Sequence, residues 1–137
     1  MQTLRQLSFG MLDMAWHANE LPETITSVKD FETKAFAGTN LYPEVKENCM
    51  STAFAHIFQG GYSSGYYSYK WAEVLDADAF EAFVEAGIFD PDVADRFGQL
   101  LKAGGNVDPD VLYRQFRGRD PHVNALLKRA GLMTDHG

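Results

Sequence analysis

The sequence has one cysteine, Cys49, in 137 residues, which excludes an intrachain disulfide and any multi-cysteine zinc site. It has no Lys/Arg cluster that would neutralise several phosphates, and its formal charge is -7, so no nucleic-acid partner is expected. No apolar run approaches the roughly 20 residues needed to span a bilayer. The opening MQTLRQLSFGMLDMAWH mixes polar and apolar residues at helical spacing and makes a poor signal peptide. No membrane partner is therefore expected, and a cytoplasmic location is the simplest reading. Convincing apolar/polar alternation of the kind that marks strands is also missing.

The histidines, His17, His56, His122 and His136, do not form the helical two-histidine zinc motif with an intervening glutamate. His17 and Glu20 stand three apart in HANE, a spacing used by carboxylate di-metal bundles. Such bundles need a second pair and more glutamates, and none is evident. Cys49, in KENCMS, carries no activating pattern and reads as a small hydrophobe, although His56 lies nearby in sequence.

What is present is a water-soluble composition, 45% hydrophobic and 23% charged, in a chain long enough for one domain, residues 1–137, with a real core. Leu4, Leu7, Met11, Leu12 and Ala15 fall on one helical stripe, which predicts a first helix to about His17. Pro22 breaks it. Ser27 followed by Phe31, Ala35 and Phe36 predicts a second helix ending at Gly38, and GTNLYPEVKENCM reads as an exposed connection.

A short apolar segment from about Met50 to Phe58 precedes a long helix predicted over about Ser63–Ala86, closed by Gly87. Asp-Pro recurs at Asp90, Asp108 and Asp120. Asp accepts from a free N–H of the first turn and Pro loses no bond at the first helical position, so three helix starts are predicted. Their unequal spacing argues against a repeat protein. The fold class is all-α, with six or seven helices and a short extended segment expected near the loop.

The stretch His56–Trp71, HIFQGGYSSGYYSYKW, concentrates four tyrosines, three glycines and a histidine. On a helix, Tyr62, Tyr66, Tyr69, Glu73 and Asp76 share one face, while Tyr67, Trp71, Val74 and Leu75 gather on a core-facing one. Phenols can be amphipathic fillers, but a face grading from tyrosine to carboxylate also suits binding or catalysis. Gly60, Gly61 and Gly65 bracket the predicted helix start, where unpaired N–H groups and the helix dipole favour negative charge. A movable loop beside phenolic donors suits an anion or oxyanion. GGYSSGYY lacks the terminal Lys and Ser/Thr of a P-loop. His56, between Ala55 and Ile57, reads by itself as a structural residue more readily than a catalytic one.

FAHIFQGGYSSGYYSYKWAEVLDADAFEAFVEAGIF, with LYRQFRGRDP, ALLKRAGL and TLRQLSFGMLDMAWH, resembles the C-terminal part of thimet-type zinc metallopeptidases of the bacterial peptidyl-dipeptidase and oligopeptidase branch. The resemblance covers essentially the whole chain. It implies a mostly helical, two-lobed parent enzyme that hydrolyses short peptides. Zinc in that parent is held by the histidines of His-Glu-x-x-His and a later glutamate, none of which occurs in this sequence. The chain is therefore expected to be a C-terminal portion of the catalytic domain, with no metal of its own and inactive alone.

By the same resemblance Tyr69 matches the tyrosine that donates to the tetrahedral oxyanion. His56 matches a histidine assigned to substrate or transition-state binding. Tyr62 and Tyr66 match substrate-contacting tyrosines, and Gly60, Gly61 and Gly65 match the mobile loop that carries them. Arg117 and Arg119 match the family without a defined role. They read as an ion pair at a surface or domain junction, or as binders of a substrate carboxylate.

Two other readings stand beside this one. The first is a stand-alone helical peptide-binding module that uses the phenol face without chemistry, and the second is a small metalloenzyme built on His17 and Glu20. A severed helical domain is also expected to self-associate through its exposed former interface.

Overall fold

The computed structural model describes residues 2–18 and 24–133; Glu20, Pro22 and His136 lie outside the described residues. Among the described residues there are seven helices and no strand: α1 (Gln2–His17), α2 (Val28–Ala35), α3 (Ala55–Gln59), α4 (Ser68–Ala86), α5 (Pro91–Ala103), α6 (Pro109–Arg117) and α7 (Asn124–Arg129). The all-α class and the helix number agree with the sequence reading. The chain forms two compact units, with the boundary between Lys70 and Trp71. No helix among the described residues is long and apolar enough to cross a membrane.

In the first unit α1 fully buries only Leu12 of the expected stripe. Ser8, Gly10, Leu12 and Asp13 are buried, and Phe9 and Trp16 pack against the core formed by Leu12, Phe36, Phe54, Ile57 and Tyr66. Leu7 and Met11, expected to face inward, are exposed. The aromatic side chains at 9 and 16 offer more apolar area than Leu7 and Met11, and the face they share includes a carboxylate.

Helix α2 begins where expected, with the Ser27 hydroxyl accepting from the Asp30 N–H at 3.1 Å. It ends at Ala35, with Gly38 beyond it at φ +89°. The connection to α3 is held by Glu32 of α2, whose buried carboxylate accepts from the N–H groups of Met50 (2.9 Å) and Ser51 (2.6 Å). Cys49 directs its thiol at the same carboxylate, 3.8 Å away, in keeping with a structural cysteine.

The long helix starts at Ser68, five residues later than predicted. Ser64 has φ +56°, outside the right-handed helical region. Residues 62–70 are closed instead by i→i+3 bonds, including Gly65 N–H to Tyr62 C=O (2.8 Å) and Tyr69 N–H to Tyr66 C=O (3.2 Å). On α4 itself Val74, Ala77, Asp78 and Ala82 are buried. Trp71 and the preceding Tyr67, both expected in the core, are exposed. The predicted face assumed one unbroken helix from residue 63, and Tyr67 lies in the turns before α4 begins.

The second unit packs α4, α5 and α6 around Ala82, Val93 and Phe116, with Ala79, Phe83, Phe97 and Leu100 against them. The rings of Phe83 and Phe97 lie 5.8 Å apart, and those of Phe97 and Phe116 5.4 Å. Two of the three Asp-Pro pairs start helices. Asp90 caps α5 through its side chain, 2.9 Å from the Val93 N–H, and Pro91 opens the helix. Asp108 and Pro109 open α6 without a side-chain cap bond. The third expected start is corrected: α7 begins at Asn124, and the Asp120 carboxylate is instead held by Arg114 at 3.0 Å. A nearby guanidinium competes successfully with the helix end for that carboxylate.

Candidate active-site tyrosines

His56 lies in the first turn of α3, and the loop from Gly60 returns the chain beside it. The His56 ring lies 6.0 Å from that of Tyr62 and 6.3 Å from that of Tyr66. Tyr62 and Tyr69 stack with centroids 5.2 Å apart and planes at 29°. Tyr66 and Tyr69 lie 5.0 Å apart. All four predicted side chains thus meet within the first unit, although only Tyr69 stands on α4.

Their environments differ. Tyr66 is buried and packs edge-on against Phe9 (5.8 Å) and Phe54 (5.0 Å), so its ring belongs to the core. Tyr62 is half-buried, and Tyr69 is 38% exposed. A hydrogen bond with Tyr62, reinforced by desolvation and by the neighbouring phenols, pushes the Tyr69 hydroxyl above its ordinary pKa of 10.0. Tyr69 therefore keeps its proton, and its capacity to donate, well into the alkaline range.

The glycines have distinct roles. Gly61 has φ +74°, a conformation that side chains disfavour. At Gly60 a Cβ would lie 3.2 Å from the His56 carbonyl oxygen and in contact with Tyr62 Cδ2 at 3.4 Å, so a methyl group would crowd the His56 backbone.

Sequence reasoning missed Asp13. Its carboxylate is fully buried, and it accepts from the Ser64 N–H (3.0 Å, Oδ1) and the Tyr66 N–H (2.8 Å, Oδ2). Its Oδ1 is also 2.9 Å from His17 Nδ1. The negative charge expected beside the glycine loop is thus supplied by the chain itself. A usable signal was the spacing of Asp13 from Phe9 and Trp16, which puts a carboxylate on an aromatic helix face.

The two arginines lie in the second unit and already hold carboxylates. Arg119 donates to both oxygens of buried Asp78, at 2.7 and 3.2 Å. Arg117 donates to both oxygens of Glu85, at 2.7 and 2.8 Å. This matches the ion-pair reading. Of the carboxylates on the predicted phenol face, Asp76 is held by Arg129 at 2.6 Å.

The donor set of the described residues does not fit zinc. Among the described residues no group of three or more His, Cys, Asp or Glu side chains converges on a common point. The buried carboxylates of Asp13 and Glu32 and the half-buried His17 are engaged in the bonds given above.

A family model described as "Peptidase family M3" matches residues 1–132. The chain belongs to peptidase family M3. M3 relatives similar to it include an organellar oligopeptidase A of Arabidopsis thaliana, 40% identical over 96% of this chain and 17% of the relative. Oligopeptidase A of Haemophilus influenzae is 40% identical over 96% of this chain and 19% of the relative. A dipeptidyl carboxypeptidase of Escherichia coli is 40% identical over 92% and 19% respectively. The chain thus spans about a fifth of the length of the curated M3 relatives it matches.

Proposed function

We propose that this chain supplies the oxyanion-stabilising and substrate-binding tyrosines of a peptidase that hydrolyses short peptides. The observation that carries this reading is the stacked Tyr62–Tyr69 pair at an accessible edge. Tyr69 donates to the oxygen that becomes negative as the peptide carbonyl turns tetrahedral, and Tyr62 and His56 bind the substrate around it. Tyr66 joins them mainly by fixing the position of Tyr69 through its ring. Gly60, Gly61 and Gly65 let the loop close on peptide.

In this reading the chain is the C-terminal part of the catalytic domain of a zinc metallopeptidase. Zinc belongs to residues other than those of this chain, and the 137 residues alone are inactive. The cytoplasmic setting is part of the same proposal and is checked by cell fractionation.

The test is Tyr69→Phe in the full-length peptidase. Loss of one oxyanion donor lowers kcat by on the order of 100-fold or more, with KM changed far less. Unchanged turnover removes Tyr69 from the chemistry. The exposure of Tyr69 also suits peptide binding without chemistry. Saturable peptide binding by the isolated chain, together with unchanged turnover in Tyr69→Phe, favours that second reading.

A further inference from the structure

The buried carboxylate of Asp13 is in contact with the backbone of the tyrosine loop, and the proposed chemistry leaves it without a role. We infer that Asp13 is a positioning residue, a clamp on α1 that fixes the backbone of the Tyr62–Tyr69 loop and so aims the phenols; the inference rests on the functional reading above.

Two features make the clamp specific. Its two oxygens take separate amides, Ser64 on Oδ1 and Tyr66 on Oδ2, at 3.0 and 2.8 Å across more than fifty residues of sequence. Between them the backbone holds Ser64 at φ +56°, a conformation that a serine rarely adopts unless its surroundings impose it. Charge-assisted bonds from a carboxylate to backbone N–H groups are the stronger kind. The bond between the Ser63 hydroxyl and the Ile57 carbonyl, 2.6 Å, ties the same turn to α3, beside His56.

On the other side, His17 Nδ1 lies 2.9 Å from Asp13 Oδ1 and 3.0 Å from the Asp13 carbonyl. The His17 ring packs 5.4 Å from Phe58. The carboxylate is thereby oriented from its own helix while it orients the loop. Tyr69 follows three residues after Tyr66 and is bonded to it through the backbone at 3.2 Å, so a displaced Tyr66 amide displaces the Tyr69 phenol.

The experiment is Asp13→Asn in the full-length peptidase, alone and combined with Tyr69→Phe. Asparagine keeps the shape but turns an amide NH2 toward a backbone donor. Misplacement of a donor by about 1 Å costs on the order of 100-fold, so kcat falls by that factor while KM moves much less. In the Tyr69→Phe background the further loss shrinks to less than about threefold, because the phenol being aimed is gone. A merely structural role gives equal losses in both backgrounds and overturns the inference.

Hydrogen exchange reads the clamp without turnover. The amides of Ser64 and Tyr66 exchange about 10- to 100-fold faster in Asp13→Asn, and those of α6 do not change. Unchanged exchange at both overturns the clamp. If Asp13→Asn does not fold, Asp13→Glu keeps charge and acceptors but moves them by about one bond length, on the order of 1.5 Å. A folded Asp13→Glu enzyme with unaltered kcat and unaltered exchange also overturns it. Unchanged turnover in Tyr69→Phe alone sinks the functional reading, and the exchange measurement still decides whether Asp13 holds the loop.

Discussion

Glu32 holds Ser51 twice. Its Oε2 accepts from the Ser51 N–H at 2.6 Å and from the Ser51 hydroxyl at 2.9 Å, nineteen residues away in sequence. The same hydroxyl accepts from Trp16 Nε1 at 3.1 Å, so α1, α2 and the approach to α3 are joined at one serine.

Burial raises the Glu32 pKa, but the hydrogen bonds from Met50 and Ser51, with the Lys29 charge, outweigh it and hold the carboxyl below its usual 4.5. A depressed carboxyl contributes stability above its unfolded pKa and loses it as pH falls through the folded value. Glu32→Gln is expected to destabilise the first unit by about 2 kcal/mol at pH 7. The difference from the parent chain narrows as pH falls from 4.5 through the lower folded value. Urea unfolding at pH 7 and pH 3 measures both.

The second unit has its own buried carboxylate. Asp78 accepts from the Tyr113 hydroxyl at 2.6 Å as well as from Arg119. Burial and the Asp78 charge push the Tyr113 phenol well above its ordinary value. A phenol raised in the folded state contributes stability below its unfolded pKa of 10.0, which is lost as pH rises above it. Tyr113→Phe is expected to cost about 1 kcal/mol at neutral pH and to flatten the alkaline decline. Unfolding curves at pH 7, 9 and 11 test this, and an unchanged alkaline slope contradicts it.

Tyr62→Phe removes the hydroxyl that raises Tyr69. The Tyr69 phenol then titrates closer to 10.0, followed through its ring carbon resonance from pH 8 to 12. In the full-length enzyme the alkaline limb of kcat moves down with it. A Tyr69 titration that does not respond to Tyr62 separates the two phenols.

Gly61→Ala places a side chain at φ +74° with nothing within 4 Å of the added carbon. The cost is then conformational, about 1–2 kcal/mol, and Gly61→Asn costs less because asparagine accepts this region more readily. Thermal melting of the three chains ranks them, and equal stabilities refute the assignment.

Helix boundaries were legible wherever local chemistry decided them. Ser27 and Asp90 cap as their spacing implies, whereas α3 (Ala55–Gln59) forms where the sequence showed only a short apolar segment. Long-range partners were not legible. Nothing local in SSGYY announces that Ser64 and Tyr66 answer to a carboxylate some fifty residues earlier, and that contact moves the helix start to Ser68. Asp120 fails as a helix start for a similar reason, since Arg114 claims it. The rings of Tyr62, Tyr66 and Tyr69 do meet, but a turn and not the expected helix face brings Tyr62 to Tyr69.

The internal carboxylate at the tyrosine loop also bears on what this edge can recognise. Because Asp13 occupies the Ser64 and Tyr66 amides, the phenols that stand beside His56 at the accessible edge donate as uncharged groups. Attraction between neutral dipoles and a carbonyl oxygen is barely screened by mobile ions, unlike attraction between full charges. Affinity at this edge should therefore stay nearly level as ionic strength rises, and should follow main-chain carbonyls more closely than the charges of a ligand's side chains.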